Sequence, residues 1–253
     1  KDKDENLWVA IYQKGVVMIP ASRNHFQYYG YKSTESNFIG SNCITAMYKD
    51  NDGKLWVGTD NDGLYGLSDD KKENVHYCSI ADKSGVPSTI MSLFEDSEKN
   101  LWVGAYNSGL GILNRETGKF RNIRLLNQQK EVVERVYDLA EDNEKRLWIA
   151  TMGNGIFCYD IKRQQIRYND DIRRMAQTEW TTCLHYSTAS NKLYIGSYDG
   201  IGCTDLKTND LQTSWSLRRQ IILDIYEGRN GNLWLGTSDG LVEWDINRNI
   251  FTT

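Results

Sequence analysis

The stretch Leu55-Trp56-Val57-Gly58 decides the fold, because it returns in five further copies along the 253-residue chain. The other copies are Leu7-Trp8-Val9-Ala10, Leu101-Trp102-Val103-Gly104, Leu147-Trp148-Ile149-Ala150, Leu193-Tyr194-Ile195-Gly196 and Leu233-Trp234-Leu235-Gly236. Successive copies start 48, 46, 46, 46 and 40 residues apart. A repeat of this length is typical of four short antiparallel strands, which form one blade of a β-propeller. The sequence therefore predicts an all-β protein built from six copies of one blade.

Each copy divides into the same four strands, which we name A to D. In copy 3, strand A covers 90–94, strand B 101–104 and strand C 110–113, and strand D lies near Phe120. The turns carry glycines, which supply the positive φ angles that tight hairpins need. We expect such angles at Gly53, Gly63, Gly200 and Gly240. The large aromatic residue of strand B is expected to fill the wedge between one blade and the next.

Strand A is found in five copies, whereas strands B, C and D are found in six. The first copy begins at its acidic turn, so it lacks the inner strand. We therefore expect five complete blades and one partial blade, in a ring that is open or incomplete. The chain is expected to be a fragment of a larger propeller of about seven blades. Residues 1–253 are predicted to form one partial propeller, with repeat units at 1–42, 43–88, 89–131, 132–180, 181–219 and 220–253.

Composition and charge argue against several classes of function. The net charge is −4 and the pI is near 5.5, so the chain lacks the basic surface of a nucleic-acid-binding protein. No run approaches the roughly 18 apolar residues that cross a bilayer. Five cysteines without a CxxC pair and three scattered histidines indicate neither a metal site nor a cofactor. In an oxidising compartment, one pair of cysteines can form a disulfide.

The pattern Asp-x-x-Gly-x-Leu-Trp-Val-Gly-Thr-x-x-x-Gly-Leu at 50–64 resembles the regulator-propeller repeat. It returns in looser form at 230–241. Copies 1 and 4 depart from it by ending strand B in alanine, and copy 5 departs by carrying Tyr194 in place of tryptophan. Such repeats form the periplasmic sensor region of hybrid two-component histidine kinases, above all in gut Bacteroidetes. The resemblance covers essentially the whole chain.

The resemblance implies a function and a set of partners. It implies a periplasmic ectodomain of an inner-membrane protein, which detects oligosaccharide products of polysaccharide breakdown. The parent protein would be a histidine kinase that controls polysaccharide-utilisation genes. The implied partners are an oligosaccharide, the remaining blades and a second propeller of the same protein, and a second copy in a homodimer. This interpretation includes no cofactor and no nucleic-acid partner.

A ligand site is expected where the turns between strands B and C meet the crossings from strand D to the next strand A. Both lie at the same end of a blade, and their mixture of aromatic, amide and carboxylate side chains suits a sugar. The candidates are Asp60, Asn61, Tyr106, Asn107, Asn154, Tyr198, Asp199 and Asp239 in the B–C turns, with Trp180 and Trp215 in the crossings. The alternative is structural: the rings pack under the loops, and Asp and Asn only form the turns.

Asp138 and Asp224 share one position of strand A, and paired carboxylates can act in acid–base catalysis. They lie two blades apart, however, with no nucleophile or histidine at a repeated position beside them, so hydrogen bonding to neighbouring blades is the preferred interpretation. Three hypotheses remain: a ligand-sensing module, a scaffold propeller whose rim binds another protein, and a propeller enzyme that acts on a polysaccharide. The lack of a catalytic constellation weighs against the enzyme.

Overall fold

The computed structural model describes residues 1–3, 7–11, 15–19, 28–31, 38–41, 43–68, 74–78, 84–167, 180–207 and 213–253. The chain divides into two compact units, Lys1–Gly40 and Ser41–Thr253. No described segment forms a helix that is long and apolar enough to cross a membrane. The five cysteines are not joined by disulfides. The prediction of one propeller domain over 1–253 stays a prediction.

The Lys1–Gly40 unit contains one antiparallel hairpin. Its strands are β1 (Leu7–Ile11) and β2 (Gly15–Ile19), paired with Val9 opposite Val17. They correspond to strands B and C of copy 1. The turn between them and residues 20–27, where strand D of this copy is expected, lie outside the described residues.

The described residues of the Ser41–Thr253 unit form five four-stranded antiparallel sheets, which confirms the predicted fold class. We number them blades 2 to 6 after their sequence copies, and in each blade strands A to D pair in chain order. Blade 2 comprises β3 (Ile44–Lys49), β4 (Leu55–Thr59), β5 (Leu64–Leu67) and β6 (Val75–Tyr77). Blade 3 comprises β7 (Ile90–Glu95), β8 (Leu101–Ala105), β9 (Leu110–Leu113) and β10 (Phe120–Ile123). Blade 4 comprises β11 (Val136–Glu141), β12 (Arg146–Thr151), β13 (Gly155–Asp160) and β14 (Gln165–Arg167). Blade 5 comprises β15 (Thr181–Ser187), β16 (Lys192–Ser197), β17 (Gly200–Asp205) and β18 (Thr213–Ser216). Blade 6 comprises β19 (Ile222–Glu227), β20 (Leu233–Thr237), β21 (Gly240–Asp245) and β22 (Ile250–Thr252).

The apolar core of this unit lies between neighbouring blades. Each of four clusters joins the strand B aromatic of one blade to strands A and B of the next. These aromatics are Trp56, Trp102, Trp148 and Tyr194, and each is at most 1% exposed. The predicted role of the strand B aromatic as a wedge is therefore confirmed in blades 2 to 5. Burial of one such ring contributes about 1.5–3 kcal/mol or more, so each blade depends on its neighbour.

The acidic turn between strands A and B holds the tryptophan in place. In blades 2, 3 and 4 a buried aspartate accepts a hydrogen bond from the indole Nε1 six residues later. The pairs are Asp50 with Trp56 at 2.8 Å, Asp96 with Trp102 at 2.7 Å and Asp142 with Trp148 at 2.8 Å. The other carboxylate oxygen of Asp96 accepts the backbone N–H groups of Glu98 and Asn100. One side chain therefore shapes the turn and orients the ring at once.

The threonine and glycine of the repeat form the B–C turn. The Thr59 hydroxyl donates to the carbonyl oxygen of Gly63 at 2.9 Å, and Thr237 does the same to Gly240. The predicted positive φ angles are confirmed at +87° for Gly53, +74° for Gly63, +102° for Gly200 and +127° for Gly240. The repeated residues of this motif are thus accounted for by the fold.

Every A strand carries a β-bulge at the same place. The pairing with strand B skips the second residue of the strand, and the five skipped residues are Thr45, Met91, Tyr137, Thr182 and Leu223. A bulge places two residues opposite one and redirects the extra side chain. Position two of strand A is therefore released from the ladder in all five blades.

Candidate functional site

The B–C turns and the D-to-A crossings lie at one end of each blade, as predicted. Directly after strand B, a backbone N–H donates to the carbonyl of the residue that precedes strand A of the same blade. Examples are Tyr106 to Thr89 at 3.2 Å and Tyr198 to Trp180 at 3.2 Å. The turn also reaches the following crossing, since the Gly109 N–H donates to the Glu134 carbonyl at 2.8 Å. Side chains from turns and crossings therefore share this end.

Four aromatic side chains gather at this end on blades 3, 4 and 5. We call Tyr106, Tyr137, Trp180 and Tyr198 the aromatic row. The ring centroids of Trp180 and Tyr198 are 5.8 Å apart in an edge-on arrangement. Burial raises the pKa of Tyr137, and the charge interactions of its phenol with Tyr106 and Tyr198 raise it further. Trp180 is 45% exposed and Tyr198 is 46% exposed.

Polar groups border the aromatic row. The Arg135 guanidinium lies 5.2 Å from the centre of the Tyr106 ring, and its backbone carbonyl accepts the N–H of Met152. Asn107 is exposed beside Tyr106, and the Asn154 side chain accepts a hydrogen bond from Asn127 at 3.3 Å. The arrangement combines flat apolar faces with a cation and amides, which is the mixture that a sugar ring and its hydroxyl groups require.

The sequence interpretation placed Tyr106, Trp180 and Tyr198 correctly at this end but missed Tyr137 and Arg135. Tyr137 is the extra residue of the bulge in β11, and Arg135 ends the crossing just before that strand. The variation at bulge positions of otherwise similar copies was the available indication. A bulge position, which lies outside the pairing of strands A and B, is a candidate for contact with a ligand where it carries a large aromatic in one blade.

The remaining B–C turn candidates have local roles or lie on other blades. The Asp199 carboxylate accepts the N–H of Arg219 at 2.7 Å and pairs with Arg218 at 2.5 Å. Asp60 accepts a hydrogen bond from the Ser41 hydroxyl at 2.9 Å. Asn61 and Asp239 are, like Asp60, in the turns of blades 2 and 6, outside the three blades that carry the row. Their contact with a ligand stays a prediction.

The predicted place of Trp215 in a D-to-A crossing is wrong. Trp215 lies within β18, where it pairs with Gly202 and packs against the cluster that contains Trp148. The glycine makes room for the indole, since a Cβ on Gly202 would lie 3.1 Å from the ring. Copy 6 starts only 40 residues after copy 5, so the crossing is shorter than the others and begins after Ser216.

Asp138 links two blades, as the preferred interpretation of its position predicted. Its Oδ2 accepts the N–H of Leu184 in blade 5 at 2.7 Å, and its Oδ1 accepts that of Leu139 at 2.8 Å. Asp224 accepts the N–H of Ile225 in its own strand at 2.9 Å. Burial raises the pKa of Asp138 to about 7, with a smaller contribution from the Asp224 charge, against the effect of the two backbone donors.

The raised pKa of Asp138 predicts a pH dependence of stability. The pKa of an aspartate in an unfolded chain is about 3.9, so the folded state binds the Asp138 proton more tightly than the unfolded state does. This contribution to stability is present below pH ~4 and is lost as pH rises through 7. The melting temperature of Asp138→Asn should therefore lie further below that of the unmodified protein at pH 5 than at pH 8. A difference in melting temperature that is constant across this range would contradict the assignment.

The comparison with protein families identifies the repeat. Residues 39–61, 84–107, 132–153 and 216–239 match the two-component regulator propeller family. These are two-component regulator propeller repeats. The matches fall on copies 2, 3, 4 and 6. The regulator-propeller match therefore includes copy 4 despite its Ala150 and leaves out copies 1 and 5.

Solved structures show the same propeller fold. The extracellular domain of the hybrid two-component system BT4673 from B. thetaiotaomicron is 18% identical with a TM-score of 0.77, covering 99% of this chain and 35% of that one. The extracellular domain of BT3049 from the same organism is 20% identical with a TM-score of 0.54, covering 100% and 39%. Virginiamycin B lyase from Staphylococcus aureus is 15% identical with a TM-score of 0.63, covering 83% and 69%. The chain thus spans little more than a third of the two extracellular domains. The sequence matches no curated protein.

Proposed function

We propose that this chain is the ligand-sensing propeller of an extracytoplasmic receptor of the hybrid two-component type. The regulator-propeller repeats and the likeness to two extracellular domains of such systems support the proposal. In this proposal the domain lies in the periplasm, and the receptor signals as a homodimer to a downstream kinase. The ligand is an oligosaccharide released by polysaccharide breakdown, and the response is control of polysaccharide-utilisation genes.

The aromatic row is the observation that carries the sensing proposal. Its partly exposed rings, Trp180 and Tyr198, lie edge-on to each other with their centroids 5.8 Å apart and present aromatic faces at this end of the blades. Sugar rings bind such surfaces through their C–H groups, while neighbouring amides and cations bind the hydroxyl groups. Arg135 and Asn107 supply those polar groups at the border of the row. The site spans three blades, so a bound ligand would bridge them.

Calorimetric titration of the complete receptor ectodomain with plant and host glycan fragments tests this proposal. One fragment is expected to bind, and Trp180→Ala should weaken its binding about tenfold or more, which is about 1.4 kcal/mol. Tyr106→Ala should also weaken it, because removal of this ring releases Arg135. Tyr226→Ala is the matched control, since Tyr226 is 64% exposed but lies in β19, outside the blades that carry the row.

The alternative is a scaffold propeller that binds another protein and no sugar. It would be favoured if no fragment bound the complete ectodomain while a protein partner did. A fragment that bound with unchanged affinity to the Trp180 and Tyr106 variants would still support sensing, but would show that the binding site lies outside the aromatic row. The first outcome tests the sensing function, and the second tests where the ligand binds.

A further inference from the structure

Arg135 is an exposed cation at the end of blade 4 that carries the aromatic row. Its guanidinium lies 5.2 Å from the centre of the Tyr106 ring in blade 3. An arginine that packs on an aromatic ring keeps its planar group in one orientation, so it loses less conformational freedom when it binds a ligand. Among the described residues, no carboxylate forms an ion pair with this guanidinium, and that includes Glu134 beside it in the chain.

The fold does not require a charged residue at this position. In each of blades 2 to 6, the residue that precedes strand A accepts the backbone N–H of the first residue of the B–C turn. The five accepting residues are Cys43, Thr89, Arg135, Trp180 and Ile221. This hydrogen bond uses the backbone carbonyl, which every residue supplies, and four of the five side chains carry no charge. The pairing of the strands therefore does not explain the guanidinium of Arg135.

The backbone places Arg135 and Trp180 on either side of Met152. Met152 donates its N–H to the Arg135 carbonyl at 3.1 Å and forms an antiparallel β-bridge with Trp180. Because neighbouring strands lie about 4.8 Å apart, two such steps separate the backbones of Arg135 and Trp180 by roughly 10 Å. A disaccharide has about this length, so one sugar unit can stack on Trp180 while the next unit reaches Arg135.

The acidic candidate beside Tyr198, Asp199, is already paired within the protein. Its carboxylate forms an ion pair with Arg218 at 2.5 Å and accepts the Arg219 N–H at 2.7 Å. This pairing offsets the negative charge of Asp199, so an anionic ligand meets less repulsion at this end of the blades. The whole chain has a net charge of −4, so the attraction of an anion has to come from local cations such as Arg135.

We propose that the oligosaccharide bound at the aromatic row carries an anionic group, a carboxylate or a sulfate ester, which the Arg135 guanidinium binds. The planar guanidinium presents parallel N–H donors that match two oxygens of such a group. The anionic sugar unit lies next to Tyr106, and the neighbouring unit stacks on Trp180. This inference rests on the proposed sensing function and narrows its ligand to acidic sugars.

The test compares charged glycan fragments with neutral counterparts that differ only in the anionic group. Short oligosaccharides of polygalacturonate, alginate and hyaluronan are titrated into the complete receptor ectodomain by calorimetry, each beside its carboxyl-reduced form. Sulfated fragments of carrageenan are titrated beside their desulfated forms, which separates a carboxylate from a sulfate ester. One charged fragment is expected to bind about tenfold or more tightly than its neutral counterpart, because a charged acceptor strengthens the hydrogen bonds of the guanidinium. Added salt should reduce this difference.

Variants of the arginine test its role directly. Arg135→Gln should lower the affinity for the charged fragment to that of the neutral counterpart, and should leave the affinity for the neutral counterpart unchanged. Arg135→Lys keeps the charge but loses the paired donors, so its affinity for the charged fragment should be intermediate. Arg163→Gln is the matched control, because Arg163 is exposed and lies in the C–D turn at the opposite end of the same blade. Equal melting temperatures of the three variants show that they remain folded.

The outcomes separate the ligand class from the sensing function. Charged and neutral fragments that bound equally well, or binding by neutral fragments alone, would overturn the proposal and leave the sensing function in place. A charged fragment whose affinity did not change in Arg135→Gln would also overturn it, because another group would then bind the anion. If no fragment of either kind bound the complete ectodomain, the sensing function itself would be contradicted, and the ligand class with it.

Discussion

Replacement of Asp96 with alanine should lower the free energy of unfolding by about 1.5–3 kcal/mol or more, because it removes hydrogen bonds to a charged acceptor and leaves the buried Trp102 indole N–H without a partner. The Asp96 carboxylate is 1% exposed and accepts the Trp102 indole N–H and the N–H groups of Glu98 and Asn100. Alanine can accept none of these hydrogen bonds. The tryptophan that fills the wedge toward blade 4 would also lose its orientation. Urea unfolding followed by tryptophan fluorescence measures the change.

The same turn supplies the control for this prediction. Glu98→Ala removes an exposed carboxylate two residues away, whose contact with Lys145 is a surface ion pair at 3.8 Å. Surface pairs of this kind contribute about 0–1 kcal/mol. Asp96→Asn should fall between the two variants, because the amide keeps one acceptor oxygen but offers an N–H group to another donor. Equal unfolding midpoints for the Asp96 and Glu98 variants would show that the aspartate does not hold the turn.

The fold could be predicted from the sequence because its main interactions are local and repeated. The spacing between Asp96 and Trp102 is a spacing along the chain, and the same six-residue separation occurs in two other blades. The turn glycines likewise act within a few residues of their partners. Such short-range requirements leave a pattern that can be read copy by copy, even though the copies differ at most other positions.

The candidate site could be predicted only in part because it depends on contacts between blades. The end of the blade that carries Tyr106 and Tyr198 follows from strand order alone. Tyr137 enters the aromatic row through a bulge, and a bulge is set by the pairing of two strands, not by the residues of one. Trp215 shows the converse, since its burial depends on Gly202 in the neighbouring strand. The sequence left open whether this ring is exposed or packed, and the structure places it, partly buried, against the cluster that contains Trp148.

Substitution of Gly104 with alanine should lower the free energy of unfolding by about 1–3 kcal/mol, the usual cost of overpacking a core. The added Cβ would lie 2.2 Å from the Ser92 hydroxyl oxygen, 2.7 Å from Val136 Cγ1 and 3.1 Å from the Val136 backbone oxygen. The backbone contact is the hard one, because it can be relieved only by moving blade 4 away from blade 3. Thermal and urea unfolding of the purified chain measure the loss.

Gly236→Ala is the matched control, because it makes the same chemical change at the same position of another blade. The added Cβ would meet its nearest neighbours at 3.6–3.9 Å, which is ordinary contact, so the expected change is within about 0.5 kcal/mol. The two variants share the gain in strand propensity that alanine gives over glycine, so their difference reports the crowding of the added Cβ by Ser92 of the same blade and Val136 of the next. If both variants unfolded at the same midpoint, strand geometry alone would explain the glycine at this position of the repeat. A loss confined to Gly104 would show that the close packing of Ser92 and Val136 around this position requires a glycine.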